Sequence, residues 1–192
     1  LFMKSVFVGL ALACLLPLQA CTMMYRAESI EAWVVDAETA QPVEGVVVVA
    51  HWQLKRSEVL QDAPAGQLMV LETVTDQKGR FYFPEWGPRL TPLTHLDHLD
   101  PEILLFKPGY RGVGLDNPVL THYSTAFLRK SQWNGKTIKM EKFKEDLRAY
   151  AKYLDFFHPD FIREDCNWQS VPNMVLAIDE QYRKEREANG AK

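Results

Sequence analysis

The chain has 192 residues, of which 47% are hydrophobic and 24% are charged, and it contains 11 prolines, 10 glycines and 3 cysteines. This composition is ordinary for a globular protein and excludes collagen-like, disordered and disulfide-scaffold chains. The length accommodates one domain, or one domain with an appendage. The formal net charge of −3 and the pI near 6.0 argue against an extended nucleic-acid-binding surface, so no nucleic acid is expected as a partner.

The first twenty residues have the layout of an export signal. Lys4 supplies a positive charge, an apolar run follows from Val6 to Leu16, and Pro17 breaks it. The run is too short to cross a bilayer, which needs about 20 apolar residues. We therefore expect residues 1–20 to be a signal peptide that is removed from the mature chain.

The end of this segment, Leu18-Gln19-Ala20-Cys21, resembles the box of bacterial lipoproteins, in which an aliphatic residue and a small residue precede an acceptor cysteine. The resemblance implies cleavage before Cys21, a thioether-linked diacylglycerol on its sulfur and acylation of the new amino terminus. Several acyl chains hold a protein stably at a membrane. Residues 21–29 are then a lipid-anchored tether, and the alternative is an ordinary secretory signal with a cysteine near the cut.

The residue that follows the acceptor cysteine is Thr22 and not an aspartate. By resemblance to the sorting rule of Gram-negative lipoproteins, this implies a location in the bacterial cell envelope at the outer membrane. Without Lys4 the mature chain has 21 basic and 25 acidic side chains, a net charge of −4. Because such a chain is not attracted to anionic lipid by charge, the acyl chains must supply the membrane attachment.

Processing also changes the cysteine count. Cys14 leaves with the signal and the sulfur of Cys21 is acylated, so Cys166 is the one free thiol of the mature chain. We expect Cys166 to be a small buried hydrophobic residue beside Trp168. The alternative is a Cys21–Cys166 disulfide in a chain that is never acylated.

Between residues 30 and 140 the sequence indicates β-strands joined by tight turns. Val46 to Val49 are four consecutive valines, which favour a strand that is covered on both faces. Asp76-Gln-Lys-Gly79 and Lys107-Pro-Gly-Tyr110 have the residue types of tight turns, and the second is typical of a type II turn. Short strands at this spacing favour a sandwich; the predicted strands are 30–36, 46–52, 68–75, 80–83, 103–106, 110–115 and 136–140.

This order of segments resembles the carboxypeptidase regulatory-like family. The residues that carry the resemblance are Val35-Asp36, Thr39, Pro42-Val43, Gly45, Val46–Val49, Thr75-Asp76, Gly79, Phe81, Phe83 and Lys107–Tyr110. The resemblance implies a mainly β, transthyretin-like (prealbumin-like) antiparallel sandwich of about seven strands over residues 30–140, with an insertion at 84–102. It also implies a folding, interaction or surface-display module, and it does not imply peptidase activity.

From residue 141 to 192 the hydrophobic period becomes helical. One apolar stripe comprises Phe143, Leu147, Tyr150, Leu154 and Phe157. His158-Pro159 ends this helix, and Ser170 can cap a second one that has Pro172 in its first turn. The apolar face of the second helix comprises Val171, Met174, Val175, Ile178 and Tyr182. We expect this C-terminal pair of helices to pack over an open sheet face, and the alternative is a groove for a partner.

Motifs for catalysis are missing from the sequence. None of the five histidines is followed by Glu three residues later, and neither H-E-x-x-H nor G-x-S-x-G occurs. No catalytic residue, cofactor or metal is therefore predicted. The weak candidates for a divalent cation are His95, Asp97, His98 and Asp100, whose imidazoles and carboxylates fall within six residues. The alternative is that the two aspartates cap turns.

Trp86 and Trp133 are the candidates for a binding surface, because Gly-Pro and Asn-Gly place them near predicted loops. The sequence as a whole favours a non-enzymatic, membrane-anchored envelope lipoprotein whose partner is another envelope protein. The first alternative is a glycan- or peptide-binding module that uses these two indoles and the 84–102 insertion. A metal-dependent enzyme is the second alternative, and the oligomeric state is not indicated.

Overall fold

A computed structural model describes residues 22–117, 127–156 and 168–190. In chain order its strands are β1 (Thr22–Ala27), β2 (Ile30–Asp36), β3 (Val47–Ser57), β4 (Asp62–Val74), β5 (Arg80–Phe83), β6 (Trp86–Pro92), β7 (His95–Leu96), β8 (Glu102–Phe106), β9 (Val113–Leu115), β10 (Leu128–Arg129) and β11 (Thr137–Met140). Helix α1 (Leu147–Phe156), a 3₁₀ turn (Trp168–Ser170) and helix α2 (Pro172–Gly190) follow. Over these described ranges the protein is mainly β and has two α-helices near its C-terminus.

The described strands form three sheets. The first has the order β10-β1-β6 and the second has the order β11-β2-β5. The third has the order β4-β3-β8-β9, and β7 also pairs with β3. The arrangement is sandwich-like, as the strand and turn signals in the sequence predict.

The main hydrophobic core lies where the inward faces of these sheets meet. Alternate residues of β2, such as Ile30, Ala32 and Val34, are buried, and the residues between them are partly exposed. This alternation is typical of a strand with one face on a core. Buried residues of β3, β5, β8 and β11 belong to the same cluster: Val48, Ala50, Trp52, Phe81, Phe83, Ile103, Leu105, Ile138 and Met140. Tyr25, Ala27, Val43, Val46, Trp86 and Leu96 are its other buried members.

The opposite face of the third sheet is covered by the two helices. Val47 and Val49 of β3 belong to this second cluster, whereas Val46 and Val48 belong to the first. The valine run is therefore buried on both faces, which confirms the prediction made from its composition. The helices contribute Tyr150, Leu154, Val171, Met174 and Ile178. This packing confirms that the helices dock on their own domain. Leu147, predicted to belong to the first apolar stripe, is instead 40% exposed. Phe157 and His158-Pro159 lie outside the described residues.

A glutamate of β4 accepts the hydrogen bonds at the start of helix α2, for which the sequence predicts Ser170. The Glu72 carboxylate accepts hydrogen bonds from the backbone N–H of Asn173 at 3.0 Å and of Met174 at 2.7 Å. The Asn173 side-chain amide donates to the same carboxylate at 2.9 Å. These groups need an outside acceptor because the first N–H groups of a helix have no partner within it. Glu72 thus joins the N-terminus of α2 to the sheet.

Both turns identified in the sequence have the expected form. Tyr110 N–H donates to the Lys107 carbonyl at 3.0 Å, and Gly109 has φ of +85°, as a type II turn requires. The Asp76 carboxylate accepts Lys78 N–H at 2.9 Å. Gly79 has φ of +70°, and a Cβ there would lie 2.3 Å from the Val34 carbonyl oxygen. Only glycine fits that position without displacing backbone.

Four strands lie outside the predicted set, namely β1, β6, β7 and β10. Residues 22–27, predicted to be part of a tether, instead form β1, which pairs antiparallel with β6 and parallel with β10. The predicted insertion at 84–102 contains β6 and β7 and is therefore an integral part of two sheets. β3 and β4 also extend further than predicted, to Ser57 and from Asp62.

Candidate functional site

The structure does not support the expectation that Trp86 forms a binding surface. Trp86 is 8% exposed, and its indole makes an edge-to-face contact with that of Trp52 at a centroid distance of 5.2 Å. Ala27 pairs with Trp86 across β1 and β6, so the inward face of this sheet carries the indole into the core. The prediction is wrong for this residue, because a buried indole cannot stack on an external ligand.

Trp133 is half-buried and packs against the main core. Its indole N–H donates to the Asp116 carbonyl at 3.0 Å, and its backbone N–H donates to the Ser131 hydroxyl at 3.1 Å. These contacts give Trp133 a role in holding the 131–136 loop. Trp86 and Trp133 therefore do not form a shared platform of exposed rings.

The predicted metal candidates lie in a loop that caps an irregularity in β3. The register of β3 against β4 shifts between Trp52 and Lys55. At this point Asp97 N–H donates to the Gln53 carbonyl at 3.0 Å, and Gln53 N–H donates to the Asp100 carboxyl. The loop thus satisfies backbone groups that an irregular strand leaves without a ladder partner.

The side chains of this loop are directed to separate partners. His95 Nε2 lies 3.0 Å from the Asp62 carboxylate. The Asp97 carboxylate accepts Leu99 N–H at 2.9 Å and lies 3.5 Å from the Lys55 ammonium and 3.1 Å from His98 Nδ1. Within residues 22–117, 127–156 and 168–190, no three His, Cys, Asp or Glu side chains are grouped as a metal site requires. Turn capping, the alternative for Asp97, is observed.

Two titratable groups, His51 and Asp100, are buried beneath the loop. Burial raises the pKa of Asp100 to about 8, although the hydrogen bond from Gln53 opposes this change. Burial also lowers the pKa of His51 to about 4, and the nearby Lys55 charge adds to this effect. Burial thus favours the neutral form of each group. Asp100 is only 4% exposed, so its carboxyl group is not accessible to a ligand in solution. It accepts a hydrogen bond from the Gln53 backbone instead.

One end of the first sheet carries exposed apolar side chains, and we call it the apolar end. It is defined by Met24 of β1, Leu90 of β6, Leu93 of the following turn, and Val59 and Leu60 of the β3–β4 hairpin. Met24 and Leu90 are cross-strand partners and are 53% and 66% exposed. Leu93 is 69% exposed and has φ of +59°.

The hairpin tip reaches the same end through the β6–β7 turn. Thr91 Oγ1 donates to the Thr94 carbonyl at 3.0 Å, which closes the turn that carries Leu93. The next residue, His95, contacts Asp62 at the base of the hairpin. Val59 is 100% exposed and Leu60 is 96% exposed. No motif in the sequence marks these side chains. The available signal was an apolar pair, Val59-Leu60, between the polar residues Glu58 and Gln61.

The opposite end of the first sheet has a different character. A groove of about 500 Å³ lies there, and Trp86, although its side chain is almost fully buried, is among the residues at its wall. The residues that line the groove are Arg26, Ala27, Glu28, Glu85, Trp86, Gly87, Pro88 and Leu128. Glu28 also pairs with Lys130 at 2.8 Å. This end therefore combines three charged side chains with apolar residues. Along β1, Arg26 of this groove lies two residues, or about 7 Å, from Met24 of the apolar end.

Comparison with known proteins gives no family assignment. No family model matches the chain, and no curated protein matches it. A Streptococcal ancillary pilin is similar over 64% of this chain and 31% of its own, with 15% identity and a TM-score of 0.27. A 9R-lipoxygenase from Cyanothece is similar over 65% of this chain and 17% of its own, with 14% identity and a TM-score of 0.27. The chain thus spans less than a third of either protein, and likenesses this weak identify no function.

Residues 1–21, which include the predicted signal and Cys21, lie outside the described residues, as does Cys166. Among the helices that the structure describes, none has both the length and the apolar character needed to span a bilayer.

Proposed function

We propose that this chain is a lipid-anchored protein of the bacterial cell envelope, located at the outer membrane, whose β-sandwich mediates contacts with other envelope proteins. The observation that carries the proposal is the sequence Leu18-Gln19-Ala20-Cys21 at the end of an export-signal layout. The folded body starts at once after it, because β1 begins at Thr22. Acylation of Cys21 would thus fix a sheet, and not a long linker, to the membrane.

The fold that we propose within the sandwich class is the transthyretin-like one of carboxypeptidase regulatory-like domains. Its support comes from particular turns and strands of this chain. The Lys107–Tyr110 turn has the predicted type II form. The Asp36 carboxylate also closes the 36–39 turn by accepting Thr39 N–H at 2.9 Å. Domains of this kind are used for interaction and display, which is the role proposed for the chain.

A structural role is supported by the way in which the chain uses its chemically versatile side chains. Asp97 and Asp100 hold the loop against β3, and Asp36 closes a turn while accepting the Tyr110 hydroxyl at 3.2 Å. The three hydrogen bonds from Thr39 and Glu38 lower the pKa of Asp36 to about 2. Each of these carboxyl groups is engaged in the fold. The glycan- or peptide-binding alternative loses its main support, because Trp86 is buried.

Metabolic labelling with an alkyne analogue of palmitate tests the proposed anchor. The full chain, expressed in a Gram-negative host, should take up label and fractionate with the outer membrane. A Cys21→Ser variant should lose the label, whereas a matched Cys166→Ser variant should retain it. Label that persists in Cys21→Ser, or a wild-type product found free in the periplasm, would contradict the proposal.

A protein partner is tested by cross-linking in the intact envelope. We expect the wild-type lipoprotein to give discrete adducts with another envelope protein. Adducts formed only with lipid, under conditions that cross-link a known envelope complex, would contradict an interaction role.

A further inference from the structure

We propose that the apolar end of the molecule lies on the bilayer, with the tip of the β3–β4 hairpin inserted among the lipid headgroups. This inference rests on the proposed lipid anchor at Cys21 and specifies how the anchored body is oriented. The partner is a lipid surface, recognised by exposed apolar side chains rather than by charge. The groove lined by Glu28 and Glu85 would then face away from the membrane.

The proposed acylation site, Cys21, directly precedes strand β1 in the chain. Thr22 is the first residue of β1, and it pairs with Pro92 at the end of β6. Consecutive Cα atoms lie about 3.8 Å apart, so an acylated Cys21 cannot hold this strand end far from the lipid. Strand β1 pairs with β6 from Thr22 to Ala27, and with β10 at Arg26 and Ala27. An anchor at Cys21 therefore also holds the paired end of β6 close to the membrane.

The second argument is that the exposed apolar side chains surround this strand end. Met24 lies two residues from Thr22, and its cross-strand partner Leu90 lies two residues from Pro92. Leu93 directly follows Pro92 and is likewise exposed. Apolar surface that is exposed contiguously in this way is typical of contact with a membrane or another molecule.

The turn that presents Leu93 gives a third argument. Leu93 has φ of +59°, a left-handed conformation that is costly for a bulky residue and cheap for glycine or asparagine. Its side chain is 69% exposed, so burial in the core does not repay this conformational cost. Burial of the Leu93 side chain against lipid would offset this conformational cost.

The hairpin tip extends the same surface. Val59 and Leu60 are almost fully exposed and occupy the turn between β3 and β4. The contact between His95 and Asp62 places the base of the hairpin beside the turn that carries Leu93. Two apolar side chains of this size favour transfer from water to an apolar phase by about 100-fold or more when fully buried.

The charged side chains near the hairpin tip are paired with one another, which suits a membrane contact made by apolar side chains. Arg56 is paired with Glu58 at 3.2 Å, and Asp62 is in contact with His95. The other basic residue near the tip, Lys55, lies 3.5 Å from the Asp97 carboxylate. Electrostatic attraction to anionic lipid is therefore not the basis of the contact.

Depth-dependent fluorescence quenching tests the orientation. A polarity-sensitive probe is attached at Leu60→Cys in a Cys166→Ser background, where acylation blocks the Cys21 sulfur. The full chain is purified from the envelope and reconstituted in vesicles of phosphatidylethanolamine and phosphatidylglycerol, with or without brominated acyl chains. Matched controls carry the probe at Glu85→Cys, beyond the other end of β6, and at Val74→Cys, at the far end of the long strand β4.

We expect the probe at position 60 to shift to shorter wavelength in vesicles and to lose emission when the lipid is brominated. The probes at positions 74 and 85 should show neither effect. Equal exposure of all three probes in protein whose intact mass shows diacylglycerol would overturn the proposed orientation and leave the anchor intact. A mass without lipid would overturn the anchor instead. A probe at position 60 that is already shielded without vesicles would indicate a second copy on this surface and would contradict the lipid contact.

Discussion

The Glu72 carboxylate should contribute measurably to stability, although Glu72 belongs to strand β4 and precedes helix α2 by about a hundred residues in the sequence. It accepts the N–H groups of Asn173 and Met174 and the side-chain amide of Asn173. Loss of an N-cap acceptor costs about 0.5–2 kcal/mol, and loss of a negative charge at a helix N-terminus costs about 0.3–1 kcal/mol. We expect Glu72→Ala to lower the free energy of unfolding by about 1–3 kcal/mol.

The more conservative Glu72→Gln variant separates charge from hydrogen bonding. Its amide oxygen still accepts one of the N–H groups, so the expected loss is about 1 kcal/mol. Urea unfolding of the purified protein gives the magnitude, and hydrogen exchange at Asn173 and Met174 locates it. Both amides should exchange faster, because their acceptor is weakened while the core of the sandwich is unchanged.

Glu180→Gln is the matched control. Glu180 lies on the exposed side of α2 and pairs with Lys184 at 2.7 Å, and such i,i+4 pairs contribute about 0.2–0.5 kcal/mol. If Glu72→Gln and Glu180→Gln changed stability equally and left exchange at Asn173 unaltered, the reasoning about the cap would be refuted.

Two further predictions concern buried charge and backbone geometry. The pKa of Asp100 is raised to about 8 from 3.8, so its stabilising contribution is present below pH 4 and is lost as pH rises to 8. The pKa of His51 is lowered to about 4 from 6.5, so its contribution is present above pH 6.5 and is lost as pH falls to 4. The two effects offset each other between pH 4 and 6.5, and between pH 6.5 and 8 stability should fall by about 1.4 kcal/mol per pH unit. Asp100→Asn should flatten this slope in urea unfolding, and an unchanged slope would contradict the assignment to Asp100. Gly79→Ala should destabilise the protein by about 2 kcal/mol or more, because its Cβ would meet the Val34 carbonyl. Gly135→Ala, at a similar φ but in open space, should cost only about 1 kcal/mol, and equal losses would show that the contact with Val34 is unimportant.

The predictions from sequence succeeded where a local pattern carries the information. Residues 30–36 and 80–83 form strands with the predicted bounds. The valine run, Val46–Val49, and the helical stripe that includes Met174 also pack as predicted. In each case the spacing of apolar residues matches the period of the element, so that propensity and burial favour the same conformation.

Other elements depend on partners that are remote in the chain. β1 has the sequence Thr-Met-Met-Tyr-Arg-Ala, which does not alternate clearly, and its partner β6 contains Gly87, Pro88 and Pro92. These residues usually mark loops, so only the tertiary pairing makes the segment a strand. The same Gly-Pro signal led to the wrong prediction that Trp86 is exposed. The Glu72 cap could not be predicted, because its acceptor and donors are 101 and 102 residues apart.

The mass of the N-terminal peptide of the mature protein tests the central claim most directly. Trypsin cleaves after Arg26, so an acylated mature chain gives a first peptide of residues 21–26. We predict that this peptide carries a diacylglyceryl group on the Cys21 sulfur and an acyl group on its amino terminus. A peptide that continues upstream of Cys21, or one with a free Cys21 thiol, would contradict the account.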